Sequence, residues 1–151
     1  MVTSQQAFNK YGNPTPDFER KWMVLWPVPE DIRKAIPALP PKLYANKDFI
    51  KPVEAAFRAL IANGYYKEIN SFGGIFNVRA KRNLSSMSLH SWGIAMDLNA
   101  PDNALGKTRE QLIAAGKKPF SDKFFDAFRN NGFDCGADWK SPADLMHVQL
   151  K

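Results

Sequence analysis

A carboxylate set inside an apolar strand constrains this chain more than any other feature. In Ser88-Leu89-His90-Ser91-Trp92-Gly93-Ile94-Ala95-Met96-Asp97-Leu98-Asn99 the residues from Ile94 alternate. Ile94, Met96 and Leu98 share one face of an extended strand; Ala95, Asp97 and Asn99 share the other. Asp97 therefore points away from the core face, toward a polar partner. His90 stands seven residues earlier, an offset that would place it on the opposite face if both lay in one strand. Gly93 lies between them and tolerates backbone angles that other residues avoid, so a turn at Trp92-Gly93 is predicted to fold the imidazole back over the strand.

The only other histidine, His147, lies in Asp144-Leu145-Met146-His147-Val148-Gln149-Leu150. This too reads as a strand, with Met146, Val148 and Leu150 on one face and Leu145, His147 and Gln149 on the other. Each histidine taken singly also suits a satisfied structural residue, and Asp97 alone suits a turn cap or an arginine partner. The conjunction points further. Two neutral imidazoles and one carboxylate are three protein ligands for zinc, leaving the fourth position to water, which is the composition of a catalytic site. On this reading His90, Asp97 and His147 hold the metal.

The pattern Ser-x-His-x-x-Gly-x-Ala-x-Asp from Ser88 to Asp97, followed by Asp-x-x-His from Asp144 to His147, resembles the VanY-like zinc peptidases. These comprise D-alanyl-D-alanine carboxypeptidases and L-alanyl-D-glutamate endopeptidases of the bacterial cell wall. The run Ser91 to Asn99 is most similar to the phage endolysin branch. The segments Gly74-Ile75-Phe76-Asn77-Val78-Arg79, Ile36-Pro37-Ala38-Leu39-Pro40 and Asn46-Lys47-Asp48 are also similar to such lysins, so the resemblance runs from about Trp26 onward.

The resemblance implies roles. Asp144 matches the family's general base, and its three-residue offset from His147 requires a bend before the strand. Many relatives carry glutamate there. A fixed cation beside the metal would stabilise the anionic tetrahedral intermediate. Arg79 matches the arginine of the family's Asn-x-Arg segment, with Arg82 as the alternative. Ser88 matches a serine that binds substrate or orients a ligand. Asn99 and Gln149 share faces with Asp97 and His147 and are candidates for the same task. The implied activity is zinc-dependent cleavage of the L-alanyl-D-glutamate bond of peptidoglycan during host lysis. The alternatives are a D-alanyl-D-alanine carboxypeptidase and a non-catalytic, zinc-containing wall-binding module.

The 151 residues suit one domain, taken as residues 1–151. A net charge of +6 favours polyanionic partners such as the carboxylate-rich wall. The basic residues are scattered apart from short clusters at Lys117-Lys118 and Arg79-Ala80-Lys81-Arg82, which argues against a nucleic-acid track. Met1 to Pro14 holds no apolar run of signal-peptide length, and no window reaches the 18 or so apolar residues of a membrane span. Synthesis in the host cytoplasm, action on the wall after release, no stable membrane insertion and a monomeric state are expected. Cys135, the single cysteine, has no intramolecular disulfide partner and receives no role; a semi-buried thiol is expected.

The expected fold is α+β: a small antiparallel sheet carries the zinc site, and helices pack on its other face. Frequent prolines from Pro14 to Pro41 predict an extended N-terminal arm anchored by its tryptophans, with a turn or two of helix over Asp31 to Ile36. Lys51 to Asn63 is a helix whose stripe is Val53, Ala56, Phe57, Leu60 and Ile61, with Pro52 in its first turn and Asn63-Gly64 as its stop. Tyr65 to Ser71 and Ile75 to Arg79 read as strands joined by Phe72-Gly73-Gly74. Ala100 to Lys107 reads as loop. Thr108-Arg109-Glu110-Gln111 opens a short capped helix ending at Gly116, and Ser121 to Asn130 is a second amphipathic helix. Gly136 to Pro142 is turn-rich.

Overall fold

A computed structural model describes residues 2–79, 86–140 and 142–151. The chain begins with helices α1 (Ser4–Tyr11) and α2 (Pro16–Trp22), strand β1 (Met23–Pro27), helix α3 (Glu30–Ala35) and strand β2 (Lys42–Asn46), leading into the long helix α4 (Lys47–Asn63). There follow β3 (Phe72–Gly74), β4 (Ala95–Leu98), α5 (Arg109–Ala114), α6 (Asp126–Arg129), β5 (Phe133–Cys135) and β6 (His147–Leu150). The architecture is α+β, with a two-stranded sheet β1-β2 and a four-stranded antiparallel sheet in the order β3-β4-β6-β5.

The N-terminal region is not an extended arm. Its prolines punctuate short helices instead of preventing them. Pro16 takes the first position of α2 behind the N-cap Thr15, where its missing N–H costs nothing, and Pro29 precedes α3. Thr3 and Gln6 form a reciprocal capping box that opens α1. Trp22 and Trp26 pack partly buried against the core, as anchors should.

Helix α4 starts four residues earlier than its apolar stripe predicts, because Asn46 captures its first turn: the Asn46 side chain accepts from the Asp48 N–H at 2.9 Å. Pro52 consequently lies inside the helix, where it removes one ladder bond. The stop at Gly64 is as expected, with φ +85°. Phe49, Val53, Ala56, Phe57 and Leu60 are all buried, and each large side chain among them contributes about 1.5–3 kcal/mol. The second amphipathic segment forms as a 3-10 turn, Asp122–Phe125, running into α6. Its Phe124 stacks on Phe120 at 3.9 Å, while Phe133 of β5 meets both Phe128 and Phe49 edge-on at 5.4 Å. This aromatic cluster ties α4 and α6 to the sheet edge. The short helix α5 opens on the Thr108–Gln111 capping box read from the sequence.

Cys135 is fully buried, its Sγ facing the Phe125 carbonyl at 3.9 Å, and burial pushes the thiol up to about 12. The folded protein should therefore resist thiol reagents at about pH 8 and react only when unfolded. Rapid labelling of the folded chain would contradict this. A thiol that ionises later in the folded than in the unfolded chain loses stability as pH rises from the ordinary thiol range toward about 12. Cys135→Ala should flatten that limb of a stability–pH curve.

The strands before the first ligand differ from expectation. Tyr65–Glu68 is a 3-10 turn, residues 75–79 form no regular strand, and the glycine pair expected to link two strands is itself strand β3. The physical reason is proximity: a Cβ on Gly73 would lie 3.0 Å from the Asp97 Cβ and 3.1 Å from its carbonyl oxygen. Glycine here lets β3 run close beside β4, with a bulge between Phe72 and Gly74. The loop after Asn99 contains a further 3-10 turn, Ala100–Asp102. Among the described residues no helix is long and apolar enough to cross a membrane.

Candidate metal centre

Antiparallel pairing of β4 with β6 places Asp97 directly opposite His147. Side chains at such a pair leave the sheet on the same face with Cβ atoms about 4.5–5.5 Å apart, so one carboxylate and one imidazole meet by register alone. The distance from His147 Nδ1 to Asp97 Oδ1 is 3.3 Å. His90 arrives by the expected turn. It lies in the 3-10 turn Leu89–Trp92, N-capped by Ser88, whose hydroxyl accepts from the His90 N–H at 3.3 Å. Gly93 ends that turn in the left-handed region, and His90 Nε2 comes within 3.3 Å of Asp97 Oδ2.

Gly93 is needed twice over. Its φ is +66°, and a Cβ there would lie 2.6 Å from Met23 Sδ and 2.8 Å from the Asn46 backbone nitrogen. Asn46 holds the same turn by hydrogen bonds, from its backbone N–H to the Gly93 carbonyl and from its side-chain amide to the Trp92 carbonyl, both at 3.1 Å. Gly93→Ala should cost about 1–2 kcal/mol in backbone strain alone. The clash with Asn46 adds to that. A urea-denaturation midpoint equal to that of the parent protein would refute this.

The tautomers are set from opposite ends of the two rings. His90 Nδ1 lies 2.7 Å from the Ile75 carbonyl, so it carries the proton and leaves the Nε2 lone pair facing Asp97. His147 Nε2 lies 2.9 Å from Gln149 Oε1, so it donates there and presents Nδ1. The ligating atoms of His90, Asp97 and His147 all lie within 4.8 Å of one another. His90 Nε2 and Asp97 Oδ1 are buried with no well-formed hydrogen bond, despite the two close approaches to the carboxylate. Buried polar atoms left this way are costly unless a further group completes them. Burial alone would raise the Asp97 carboxyl, but His147 and His90 outweigh it and hold it well below the usual carboxylate range. His147 answers in kind: burial disfavours its charged form, yet Asp97 and then Asp144 leave it above its ordinary value. A site that attracts a proton between these groups attracts a cation, and two nitrogens with one carboxylate oxygen fit zinc.

The other candidates divide. Arg79 lines the same cleft as His90 and Asp97, together with the Gly73 to Asn77 segment. Arg82 lies outside the described residues. Asp144 lies at the bend before β6: its N–H bonds to the Gly136 carbonyl at 3.0 Å, and its carbonyl accepts from His147 N–H at 3.1 Å. A side chain at Gly136 would overlap the Asp144 backbone, so glycine there sets that bend. Ser88 caps the His90 turn, and Gln149 contacts His147. Asn99 is not brought to the metal cluster. Its amide is consumed in accepting from Asn70 and Ser71 N–H groups at 2.9 and 3.0 Å and donating to the Glu68 carbonyl, which anchors the approach to β3.

Three contributors escaped the sequence reading. Ile75 acts through its carbonyl, which no side-chain pattern reveals. Ser91 pins the Arg79 backbone by accepting from its N–H and donating to its carbonyl, both at 3.1 Å. Trp139 packs on the His147 ring at 5.2 Å. Ser91 was visible within the motif, next to His90, but its partner twelve residues upstream was not.

Residues 82–150, which contain His90, Asp97, His147 and Asp144, match the family model described as D-alanyl-D-alanine carboxypeptidase. The match supports the VanY-like zinc peptidase family. No curated protein matches the chain. The two glycine-dependent approaches to this peptidase-like centre, at Gly73 and Gly93, lie one on each side of the start of the matched segment. The cleft wall from 73 to 79 precedes it.

Proposed function

We propose that this protein is a zinc-dependent peptidoglycan endopeptidase of the endolysin kind, hydrolysing the L-alanyl-D-glutamate bond of the stem peptide. The observation that carries the reading is the His90–Asp97–His147 cluster opening on a cleft that also holds Arg79. Zinc bound by these three residues would polarise the scissile carbonyl and make a bound water acidic near neutral pH. Asp144 takes the proton from the attacking water and returns it to the leaving nitrogen. Arg79 offers its guanidinium to the oxygen that becomes negative in the tetrahedral intermediate. Ile75 and Gln149 hold the two imidazoles in the tautomers that keep Nε2 of His90 and Nδ1 of His147 free of protons. The excess of basic residues draws the protein to the anionic wall.

The endopeptidase assignment is favoured by the run Ser91 to Asn99, which is most similar to the phage endolysin branch. A carboxypeptidase must enclose a terminal carboxylate, whereas an endopeptidase needs a groove that continues on both sides of the bond. The second reading, a D-alanyl-D-alanine carboxypeptidase, is favoured by the description of the matched family. Digestion of purified peptidoglycan followed by mass spectrometry separates them. New amino-terminal glutamate is the expected product. Free D-alanine with intact L-alanyl-D-glutamate bonds would transfer the assignment to the carboxypeptidase.

A further inference from the structure

Residues 2–12 precede the family-matched segment, yet hydrogen bonds run from them toward both histidines. At the start of α1, Ser4 Oγ donates to the Met87 carbonyl, beside the Ser88 that caps the His90 turn. Just beyond its end, the Gly12 carbonyl accepts the indole N–H of Trp92 at 2.8 Å. Gly12 has φ +77°, a conformation open to glycine, and this turns its carbonyl out of the helix direction toward Trp92. The two contacts straddle His90, one on each side of it in the chain. A third contact reaches the other ligand: Gln149, whose Oε1 holds His147, also directs its Nε2 at the Val2 carbonyl, 3.4 Å away.

Helix α1 is itself held firmly. Tyr11 OH donates to Asp48 Oδ2 at 2.8 Å, Lys10 Nζ lies 3.3 Å from the same oxygen, and the Tyr11 ring meets Trp22 edge-on at 4.8 Å. Ala7 and Tyr11 are buried. Eight helical residues span about 12 Å, so α1 works as a short rigid bar with contacts at both ends.

We propose that residues 2–12 form a clamp that positions the His90 turn and His147 relative to each other, so that metal affinity, and not only fold stability, depends on α1. This rests on the reading of the cluster as a zinc site. Ligating atoms must be held within a few tenths of an ångström to bind tightly, and support around the ligands commonly changes affinity 10–100-fold.

The test measures the zinc dissociation constant of the full chain by chelator competition, with the visible spectrum of the cobalt-loaded protein reporting ligand geometry. Ser4→Ala removes the bond to Met87 just before His90's turn, Trp92→Phe removes the bond from that turn to Gly12, and Gln149→Glu keeps an oxygen for His147 while removing the amide that reaches Val2. Each should weaken zinc binding, by about tenfold or more for Trp92→Phe and less for Ser4→Ala and Gln149→Glu, and alter the cobalt spectrum. Leu112→Ala serves as control: it loosens the buried packing of α5 and removes none of these contacts, so it should lower the melting temperature and leave the dissociation constant within about twofold. Unchanged affinity in Ser4→Ala and Trp92→Phe would overturn the clamp, as would an equal shift in Leu112→Ala. A parent protein that binds no zinc would instead overturn the metal-site reading and the clamp with it.

Discussion

Asp97→Ala is expected to lose bound zinc and peptidoglycan hydrolysis together, the largest single effect available in this protein. Asp97 is the only carboxylate in the cluster and lies 3.3 Å from an imidazole nitrogen on each side, one carboxylate oxygen to each ring. Removing it leaves two neutral rings, with centroids 5.2 Å apart, to hold a doubly charged ion without any compensating charge. Loss of a partner around a ligand costs roughly 10–100-fold in affinity, and loss of a charged ligand should exceed that. The measurement is metal content after dialysis against weak chelator, paired with zymography. His90→Ala and His147→Ala should follow the same course. A metal-free Asp97→Ala protein that still cleared peptidoglycan would remove zinc from the mechanism altogether. The backbone register of Asp97 opposite His147 does not depend on the carboxylate, so the variant should remain folded.

The legibility of that cluster in the sequence has a simple origin. Two histidines are the whole supply, and both fall in or beside runs whose period-two pattern fixes which way Asp97 and His147 point. Register did the rest, and strand pairing of two nearly central strands leaves little freedom once both must be buried. The proline-rich start misled for the opposite reason. A proline weighs against a long helix, but at a first helical position it favours a short one, and Pro16 is so placed behind Thr15. Frequency of proline therefore bounds helix length without excluding helices.

Glycine misled in a related way. Phe72-Gly73-Gly74 carries the composition of a turn, yet Gly73 is small because β3 passes against Asp97, so the residue signalled close approach of two backbones at the site. Asn99 shares a face with Asp97 only while the strand continues. The strand ends at Leu98, and Asn99 turns into the left-handed region with φ +50°, which redirects its amide to the Glu68–Ser71 backbone. The Ile75 carbonyl and the Gly12 carbonyl belong to a class that no side-chain reading reaches. Their importance lies in where the main chain passes.

Asp144→Asn should separate binding from turnover. Asparagine has nearly the same shape, so the backbone bonds from Asp144 to Gly136 and His147 should persist, and with them the bend that delivers His147 to Asp97. None of the three ligating atoms is altered, and zinc content should equal that of the parent. What disappears is a group able to accept a proton from water and return it to an amine, and general acid–base contributions of this kind are worth about 10²–10⁴ in rate. Hydrolysis should therefore fall by at least about a hundredfold at unchanged metal content. Asp144→Glu is the more searching variant. It restores the carboxylate on a stem one methylene longer, and many relatives of similar pattern carry glutamate there, so partial recovery would show that a proton acceptor is what the position supplies. Near-normal turnover in Asp144→Asn would place the base elsewhere. Loss of zinc in the same variant would mean that the Asp144 carboxylate supports the metal site itself, beyond any part in proton transfer.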